Sequence, residues 1–178
     1  MAALPDLITV AQYRQLPDDG KHLYELHHGE IVEVNRPKPG HWMLHRHVDR
    51  LLQPKLAGFG EVAVEFPFRA VAEFDLRAAD VAVLSHARWK AIDPEVDVFG
   101  SPELVIEVIS PSNTRGEIRE MAALCLNHGA IEFWILDRKR KSATVIRKDG
   151  TTTVYGRADR IPLTAFGSDS LAVSAIFE

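Results

Sequence analysis

Apolar residues recur at helical spacing in some stretches of the chain and at alternate positions in others, which predicts a mixed α/β domain. From the N-terminus, the predicted elements are a helix over 9–16, a hairpin over 23–34, a helix over about 41–56, and strands over 61–71 and 80–84. Pro67 lies inside the first of these two strands. Because proline cannot donate a ladder hydrogen bond, it predicts a bulge or an edge position there.

The second half of the chain predicts a strand–helix–strand unit followed by a hairpin. Residues 104–109 are β-branched and apolar except for Glu107, a pattern typical of a strand that is buried on both faces. A Thr-x-x-Glu capping box and a late glycine bound the helix predicted over 114–129. A strand over 131–136 and a hairpin over 144–155 complete an α/β arrangement with a mixed sheet.

Length and composition indicate one domain over residues 1–178. The chain is 46% hydrophobic and 26% charged, close to the globular average, and it is long enough to fold without a disulfide or a structural metal. Cys125 is the single cysteine, which excludes a disulfide framework. The sequence shows no apolar run near the ~20 residues of a membrane span and no signal-like N-terminus, so we expect a cytoplasmic protein that does not bind membranes.

The net charge of −4 argues against nucleic-acid binding through a generally basic surface. Any such contact must be local, and the densest basic stretch runs from Arg138 to Lys141. We expect Lys139, Arg140 and Lys141 to contact nucleic acid if it is bound. The alternative interpretation is a solvated hairpin end that protects an edge strand from pairing.

Glu107 is the sharpest chemical signal, because a carboxylate within a buried strand is costly unless a cation or hydrogen bonds compensate it. Asp80 opens another short apolar strand, and Glu25 lies in the predicted hairpin. Three acids gathered at one end of a sheet would suit a hard cation such as Mg²⁺. A protonated or arginine-paired Glu107 is the structural alternative.

The histidines offer a different candidate, a zinc site. His41 and His45 lie four residues apart, on one face of the predicted helix. His27, His28 and His47 are further candidate ligands. The sequence defines no third ligand for the pair, so solvated or hydrogen-bonded histidines are the alternative.

Four segments and one helical histidine carry a resemblance to a known family. They are YELHHGE (24–30), His45, ADVAV (79–83), ELVIEVISPS (103–112) and GAIEFWILD (129–137). In this order they resemble the Uma-type family, a bacterial group of putative restriction endonucleases within the PD-(D/E)XK nuclease superfamily. The similarity runs from about Thr9 to the segment 171–177.

The resemblance implies a restriction-endonuclease-like fold, with a mixed β-sheet core flanked by helices, and a Mg²⁺- or Mn²⁺-dependent endonuclease that acts on nucleic acid, expected to be DNA. Carried onto this chain, it implies that Asp80 and Glu107 bind the metal together with the backbone carbonyl of Val108. Glu25 would be an assisting catalytic acid. His45 matches a family histidine and would support the site.

The resemblance leads us to expect a lysine on this helix, but Met121 occupies its position. A tyrosine is expected four positions later, where this chain has Cys125. Methionine can neither orient water nor stabilise negative charge, so we expect weakened nuclease activity. The alternative is a non-catalytic nuclease-fold module that binds nucleic acid or protein. Such a module would form a homodimer through exposed strands or through the C-terminal segment 171–177.

Overall fold

A six-stranded mixed sheet lies at the centre of the computed structural model, which describes residues 7–17, 20–35, 38–110 and 114–178. The helices are α1 (Val10–Tyr13), α2 (Pro39–Leu56), α3 (His86–Lys90), α4 (Arg115–Asn127) and α5 (Val173–Ile176). The strands are β1 (Leu23–His27), β2 (Glu30–Val34), β3 (Gly60–Phe68), β4 (Arg77–Ser85), β5 (Leu104–Val108), β6 (Glu132–Asp137), β7 (Ser142–Arg147), β8 (Thr152–Tyr155), β9 (Arg160–Pro162) and β10 (Ser170–Ala172).

The central sheet has the strand order β3-β4-β5-β6-β7-β8. Only β5 and β6 run parallel, with Val108 opposite Leu136, and α4 makes the crossover between them. The other neighbouring pairs in this sheet are antiparallel. Because β5 and β6 are parallel, their carboxyl ends lie at the same edge of the sheet.

Helices cover both faces of the sheet. On one face, α2 contributes Leu44 and Val48 to a core that also contains residues of α5, β9 and β10. On the other face, Met121 and Cys125 of α4 pack in a second core with Phe133 of β6. The predicted α/β class, a mixed sheet flanked by helices, is therefore confirmed. Among the described residues, no helix combines the length and the apolar character needed to cross a membrane.

Most predicted elements form, with shifted ends. Helix α2 continues past Pro54 to Leu56, whereas α1 ends at Tyr13, three residues before the predicted end. Pro67 lies in β3, which is an edge strand as predicted. The capping box of α4 also forms, since Thr114 and Glu117 exchange hydrogen bonds of 2.8 and 3.2 Å between backbone and side chain.

The C-terminal segment does not present the apolar surface expected for dimerisation. Leu171, Val173 and Ile176 are almost completely buried, and they belong to the same core as α2. Their apolar side chains cannot bind a second copy while the domain is folded, so that expectation was wrong. The exposed edges of the central sheet are β3 and β8.

Candidate metal centre

Asp80 and Glu107 meet at the boundary between two antiparallel strands. Val81 of β4 is paired with Ile106 of β5, which brings the two acidic residues next to each other. The backbone N–H of Asp80 donates to Glu107 Oε1 at 3.3 Å. In the opposite direction, the N–H of Val108 donates to Asp80 Oδ2 at 2.7 Å. The strand register therefore fixes the separation of the two carboxylates.

Two histidines of α2 lie against the same aspartate. His41 Nε2 is 3.4 Å from Asp80 Oδ2, and His45 Nε2 is 3.3 Å from the same oxygen. The side chain of His45 is completely buried, and Asp80 is 20% exposed. The i, i+4 spacing puts both imidazoles on the face of α2 that packs on the sheet through Leu44 and Val48.

Glu65 contacts the other side of the His45 ring, and it is not among the site residues predicted from the sequence. The β3–β4 register pairs Val64 with Val81 and Phe66 with Ala79, so Glu65 lies opposite Asp80. Its Oε1 is 2.6 Å from Nδ1 of His45. No signal in the sequence distinguishes Glu65 from an ordinary outward-facing residue of an alternating strand.

The backbone of Glu65 has an unusual conformation for a residue in a strand, with φ of 50°. The left-handed region costs a residue with a Cβ of the order of 1 kcal/mol or more, and such residues concentrate at functional sites. The neighbouring pairs on both sides of Glu65 keep regular register. The surrounding sheet therefore holds this conformation.

Glu25 lies at the rim of the cluster. Its Oε1 accepts a hydrogen bond of 3.1 Å from the N–H of Ala78 on β4, and its Oε2 is 2.6 Å from His27 Nε2. The negative charge of Glu25 contributes to the raised pKa of Glu107. The β1–β2 hairpin thus places the third predicted acid beside β4, two residues before Asp80.

Neighbouring groups shift the pKa values of the titratable side chains in the cluster. Burial acts to raise the pKa of Asp80, but contacts with His41 and His45 and the N–H of Val108 lower it to about 2. Burial likewise opposes the charge on His45, yet its contacts with Asp80 and Glu65 raise the pKa of this imidazole to about 9.

The pKa of Glu107 shifts in the other direction. Burial and then the negative charge of Asp80 raise it well above its usual range, with further contributions from Glu25 and Glu65. The surroundings therefore favour the neutral form of Glu107 and the ionised form of Asp80.

Met121, at the position of the expected lysine, is 8% exposed in the core beneath α4. Its Sδ is 3.6 Å from Nη1 of Arg77. Arg77 donates to Asp75 at 2.8 Å and to both oxygens of Glu120 at 2.7 and 3.0 Å. A positive charge therefore lies beside Met121, but two carboxylates already neutralise it.

The basic turn, residues 138–141, follows β6 at the same edge of the sheet as the end of β5, in which Glu107 is the second-last residue. The N–H groups of Lys139 and Arg140 donate to Asp137 Oδ1 at 2.9 and 3.0 Å. Nη2 of Arg138 lies only 3.1 Å from where a Cβ on Gly40 would be. The turn thus reaches the start of α2, next to His41.

The other predicted histidine ligands have different partners. His47 Nε2 is 2.7 Å from the carbonyl oxygen of Ala175, and His28 Nε2 is 2.6 Å from Glu120. His27 is bonded to Glu25. The structure therefore brings only His41 and His45, of the five candidate histidines, onto Asp80.

Two surface clefts of about 220 and 230 Å³ lie outside the cluster, and neither is lined by Asp80, by Glu107 or by the two histidines of α2. Asp80 and His41 are 20% and 15% exposed, so solvent reaches one side of the cluster.

The mixed sheet flanked by helices is a fold that the chain shares with a family of nuclease-like proteins. Residues 10–174 match the Uma2 family, described as "Putative restriction endonuclease", and the chain belongs to this family. The chain is also similar to the crystal structure of a putative nuclease belonging to DUF820 from Anabaena variabilis ATCC 29413. The TM-score is 0.80 at 18% identity, over 96% of this chain and 97% of that one. No curated protein matches the chain.

Proposed function

We propose that the protein is a divalent-metal-dependent endonuclease that hydrolyses phosphodiester bonds in nucleic acid. The observation that carries this proposal is the convergence of Asp80 and Glu107, where the N–H of one acid donates to the carboxylate of the other at 3.3 Å. Membership of the Uma2 family supports the same activity. Metal dependence and cleavage are what the experiments below test.

The side chains present suit a divalent cation. Carboxylates and imidazoles are common ligands for such ions, and the buried Nε2 of His45 has no hydrogen-bond partner within the described part of the chain. Asp80 and Glu107 would hold Mg²⁺ or Mn²⁺, with the carbonyl of Val108 as the expected third ligand. A bound ion of this kind supplies Lewis acidity and lowers the pKa of coordinated water.

The chain's own groups position the two acids. The N–H of Val108 fixes Asp80, and the N–H of Asp80 fixes Glu107. Glu25, held by Ala78 and His27, places a further negative charge at the rim. Cation binding would favour the ionised form of Glu107 and so oppose the raised pKa of its carboxyl.

The absence of a lysine at Met121 predicts slow cleavage. Arg77 is the cation in contact with Met121, and its guanidinium is bound to Asp75 and Glu120. A neutralised guanidinium stabilises an anionic transition state less than a free ammonium group does. This observation favours a second candidate function, a non-catalytic module that binds nucleic acid with the same fold and forms homodimers.

The substrate is nucleic acid, which we propose to be DNA, bound through Lys139, Arg140 and Lys141. The contact of Arg138 with Gly40 links this basic turn to the start of α2, one residue before His41. Phosphates held by the turn would therefore lie near the acids. Affinity should fall steeply with salt, because bound phosphates release counterions.

The binding surface is tested by reversing Lys139, Arg140 and Lys141 to glutamate. We expect at least a tenfold loss of affinity for DNA in fluorescence anisotropy and a shallower salt dependence. A matched reversal of Lys148, Arg157 and Lys55, which lie outside the turn, should have a smaller effect. Equal affinity for the wild type and the turn variant would place the binding surface elsewhere.

Activity is tested by cleavage of supercoiled plasmid, single-stranded DNA and RNA with Mg²⁺ or Mn²⁺. Slow, metal-dependent cleavage is expected, and Asp80→Asn and Glu107→Gln should abolish it. Glu61→Gln is the matched control, since Glu61 is a partly exposed acid on β3, which also carries Glu65. Cleavage that survives both site variants would contradict the proposal, and DNA binding without cleavage would support the non-catalytic module.

A further inference from the structure

We infer that the centre holds a transition-metal ion, of the class of Zn²⁺ or Co²⁺, through His41 Nε2, His45 Nε2 and Asp80 Oδ2. Glu65 would orient His45 from behind. The inference rests on the proposed function in that it specifies the metal of the same site, but it can be tested by metal binding without any cleavage.

The separation of the three atoms matches a metal site. Asp80 Oδ2 is 3.4 Å from His41 Nε2 and 3.3 Å from His45 Nε2, and all three atoms lie within 4.8 Å of one another. In a tetrahedral site with metal–ligand bonds of about 2.0–2.1 Å, neighbouring ligand atoms are roughly 3.3–3.4 Å apart. The two pairs that include Asp80 Oδ2 thus already have the spacing of such an ion's ligands, and the fourth position would remain open.

His45 supplies an independent sign that a ligand is expected. It is completely buried, yet its Nε2 has no hydrogen-bond partner among the described residues, although Asp80 Oδ2 is only 3.3 Å away. Buried polar atoms are nearly always satisfied, so an unsatisfied one calls for an explanation. A cation between Nε2 and Asp80 would satisfy it.

The other nitrogen of His45 has the partner that a metal-bound imidazole usually has. Nδ1 is 2.6 Å from Glu65 Oε1, an arrangement in which a carboxylate fixes the tautomer and orientation of the ring. The sheet holds Glu65 at φ of 50° to make this contact. A strained backbone that serves a histidine–carboxylate contact is typical of a functional site.

Ligand chemistry distinguishes this site from an all-oxygen one. Imidazole suits Zn²⁺ and chemically similar ions such as Co²⁺, whereas Mg²⁺ and Mn²⁺ prefer carboxylates, carbonyls and water. Two imidazoles among three ligands should therefore favour transition metals. The competing interpretation is that His45 is a protonated partner of Asp80 and that no metal binds at the histidines.

The test is isothermal titration calorimetry with Zn²⁺, Co²⁺ and Mg²⁺ on the full chain, with the visible absorption of Co²⁺ as a report on its ligands. We expect one equivalent of Zn²⁺ to bind at least 100-fold more tightly than Mg²⁺. His41→Asn should weaken Zn²⁺ at least tenfold, and Glu65→Gln should weaken it by roughly 10- to 100-fold. His47→Asn, on the same helix but bonded to Ala175, should bind Zn²⁺ like the wild type.

Circular dichroism of each variant shows whether it is folded, and His41, on the first turns of α2 and 15% exposed, is the safest ligand to replace. Zn²⁺ binding unchanged by His41→Asn, or no tighter than Mg²⁺, would overturn the inference. If DNA is cleaved with Mg²⁺ while Zn²⁺ fails to bind at the histidines, the inference fails and the proposed function stands. Histidine-dependent Co²⁺ binding without any cleavage supports the inference and contradicts the proposed function.

Discussion

Two clusters of charged side chains lie on the same strand, β4, and they compensate buried charge differently. At Arg77, a guanidinium donates to Asp75 and Glu120, so the cluster contains its own cation. At Asp80, the neighbouring groups are the acid Glu107 and two imidazoles, one of which has an unsatisfied nitrogen. Each cluster has one buried polar atom without a hydrogen-bond partner among the described residues, Asp75 Oδ2 in the first and His45 Nε2 in the second, but only the first is built around an arginine bound to two acids.

This difference separates a structural role from a functional one. Arg77 ties β4 to α4 through Glu120, next to the apolar Met121. The Asp80 cluster instead buries a second acid, Glu107, whose pKa is raised by burial and by the charge of Asp80. Proteins retain such unfavourable groups at sites where a ligand compensates them. The comparison therefore predicts large losses of stability from changes at Arg77 and small ones from changes at Glu107.

The largest effect is expected from Arg77→Met. Removing the guanidinium leaves Asp75, which is completely buried, and Glu120 without their partner. Breaking a buried ion pair from one side typically costs about 3–5 kcal/mol. Urea denaturation should show a loss of this size, whereas Arg140→Met, at a 77% exposed side chain, should change stability by less than about 0.5 kcal/mol. A loss below about 1 kcal/mol for Arg77→Met would show that the Arg77 cluster does not have the stabilising role assigned to it.

Met121→Lys places an ammonium group beside Arg77, at the position where the resemblance leads us to expect a lysine. If the lysine reaches the acids, cleavage should rise by roughly 10²–10³, the usual effect of one preorganised charge-stabilising group. Because Arg77 Nη1 is 3.6 Å from the sulfur of Met121, the variant should also lose about 1–3 kcal/mol of stability. Plasmid cleavage with Mn²⁺ and thermal melting measure the two effects.

Met121→Leu is the control, since it keeps the site apolar. A wild type already as active as Met121→Lys would show that another residue does the lysine's work. A folded Met121→Lys that binds metal yet does not cleave would favour the non-catalytic module.

The metal-free protein should lose stability as the pH rises from about 6.5 to 9. The pKa of His45 is raised from 6.5 to about 9 in the folded state. The stabilisation that comes from its charged form is therefore fully present below pH 6.5 and is lost as the pH rises through about 9. Allowing for solvent screening, we expect a loss of about 1–2 kcal/mol. Urea denaturation in the presence of a chelator measures it.

Two variants locate that pH dependence. His45→Asn should flatten the curve above pH 6.5. The equivalent change at His86, which is 41% exposed on α3, should leave it in place. A curve that is identical for the wild type and His45→Asn would show that His45 is not charged in the folded protein.

The smallest effect on stability is expected from Glu107→Gln. Burial and the charge of Asp80 raise the pKa of Glu107 and so favour its neutral form, and an amide of the same shape should therefore change the free energy of unfolding by less than about 1 kcal/mol. Glu132→Gln, on the adjacent β6, should cost more, because Glu132 accepts from Arg147 and Trp134 in the core. Equal losses for the two variants would mean that Glu107 is charged and compensated by a group of the protein.

The sequence predicts the framework of the metal centre better than its details. The apolar strands around Asp80 and Glu107 are recognisable from composition, and their pairing follows once the strands are neighbours. The spacing of His41 and His45 predicts a shared helix face. Their position over Asp80 depends on how α2 packs on β4, which local patterns do not determine.

Two features could not be predicted from local patterns at all. Glu65 adopts a left-handed backbone within a strand, which its alternating neighbours give no reason to expect. Arg77 lies beside Met121 only because β4 and α4 pack together, although the two residues are far apart in sequence. The C-terminal segment was misjudged because its apolar residues suit a core and an interface equally well.

The most direct test of the metal centre is anomalous X-ray diffraction from crystals soaked in Mn²⁺. We expect one strong anomalous peak within bonding distance of Asp80, with His41, His45 or Glu107 as the further ligands. Crystals of Asp80→Asn should show no such peak. Density around Arg77 should show no ion in either crystal. A peak that persists in Asp80→Asn, or Mn²⁺ found only at surface acids in the wild type, would contradict a metal site at Asp80.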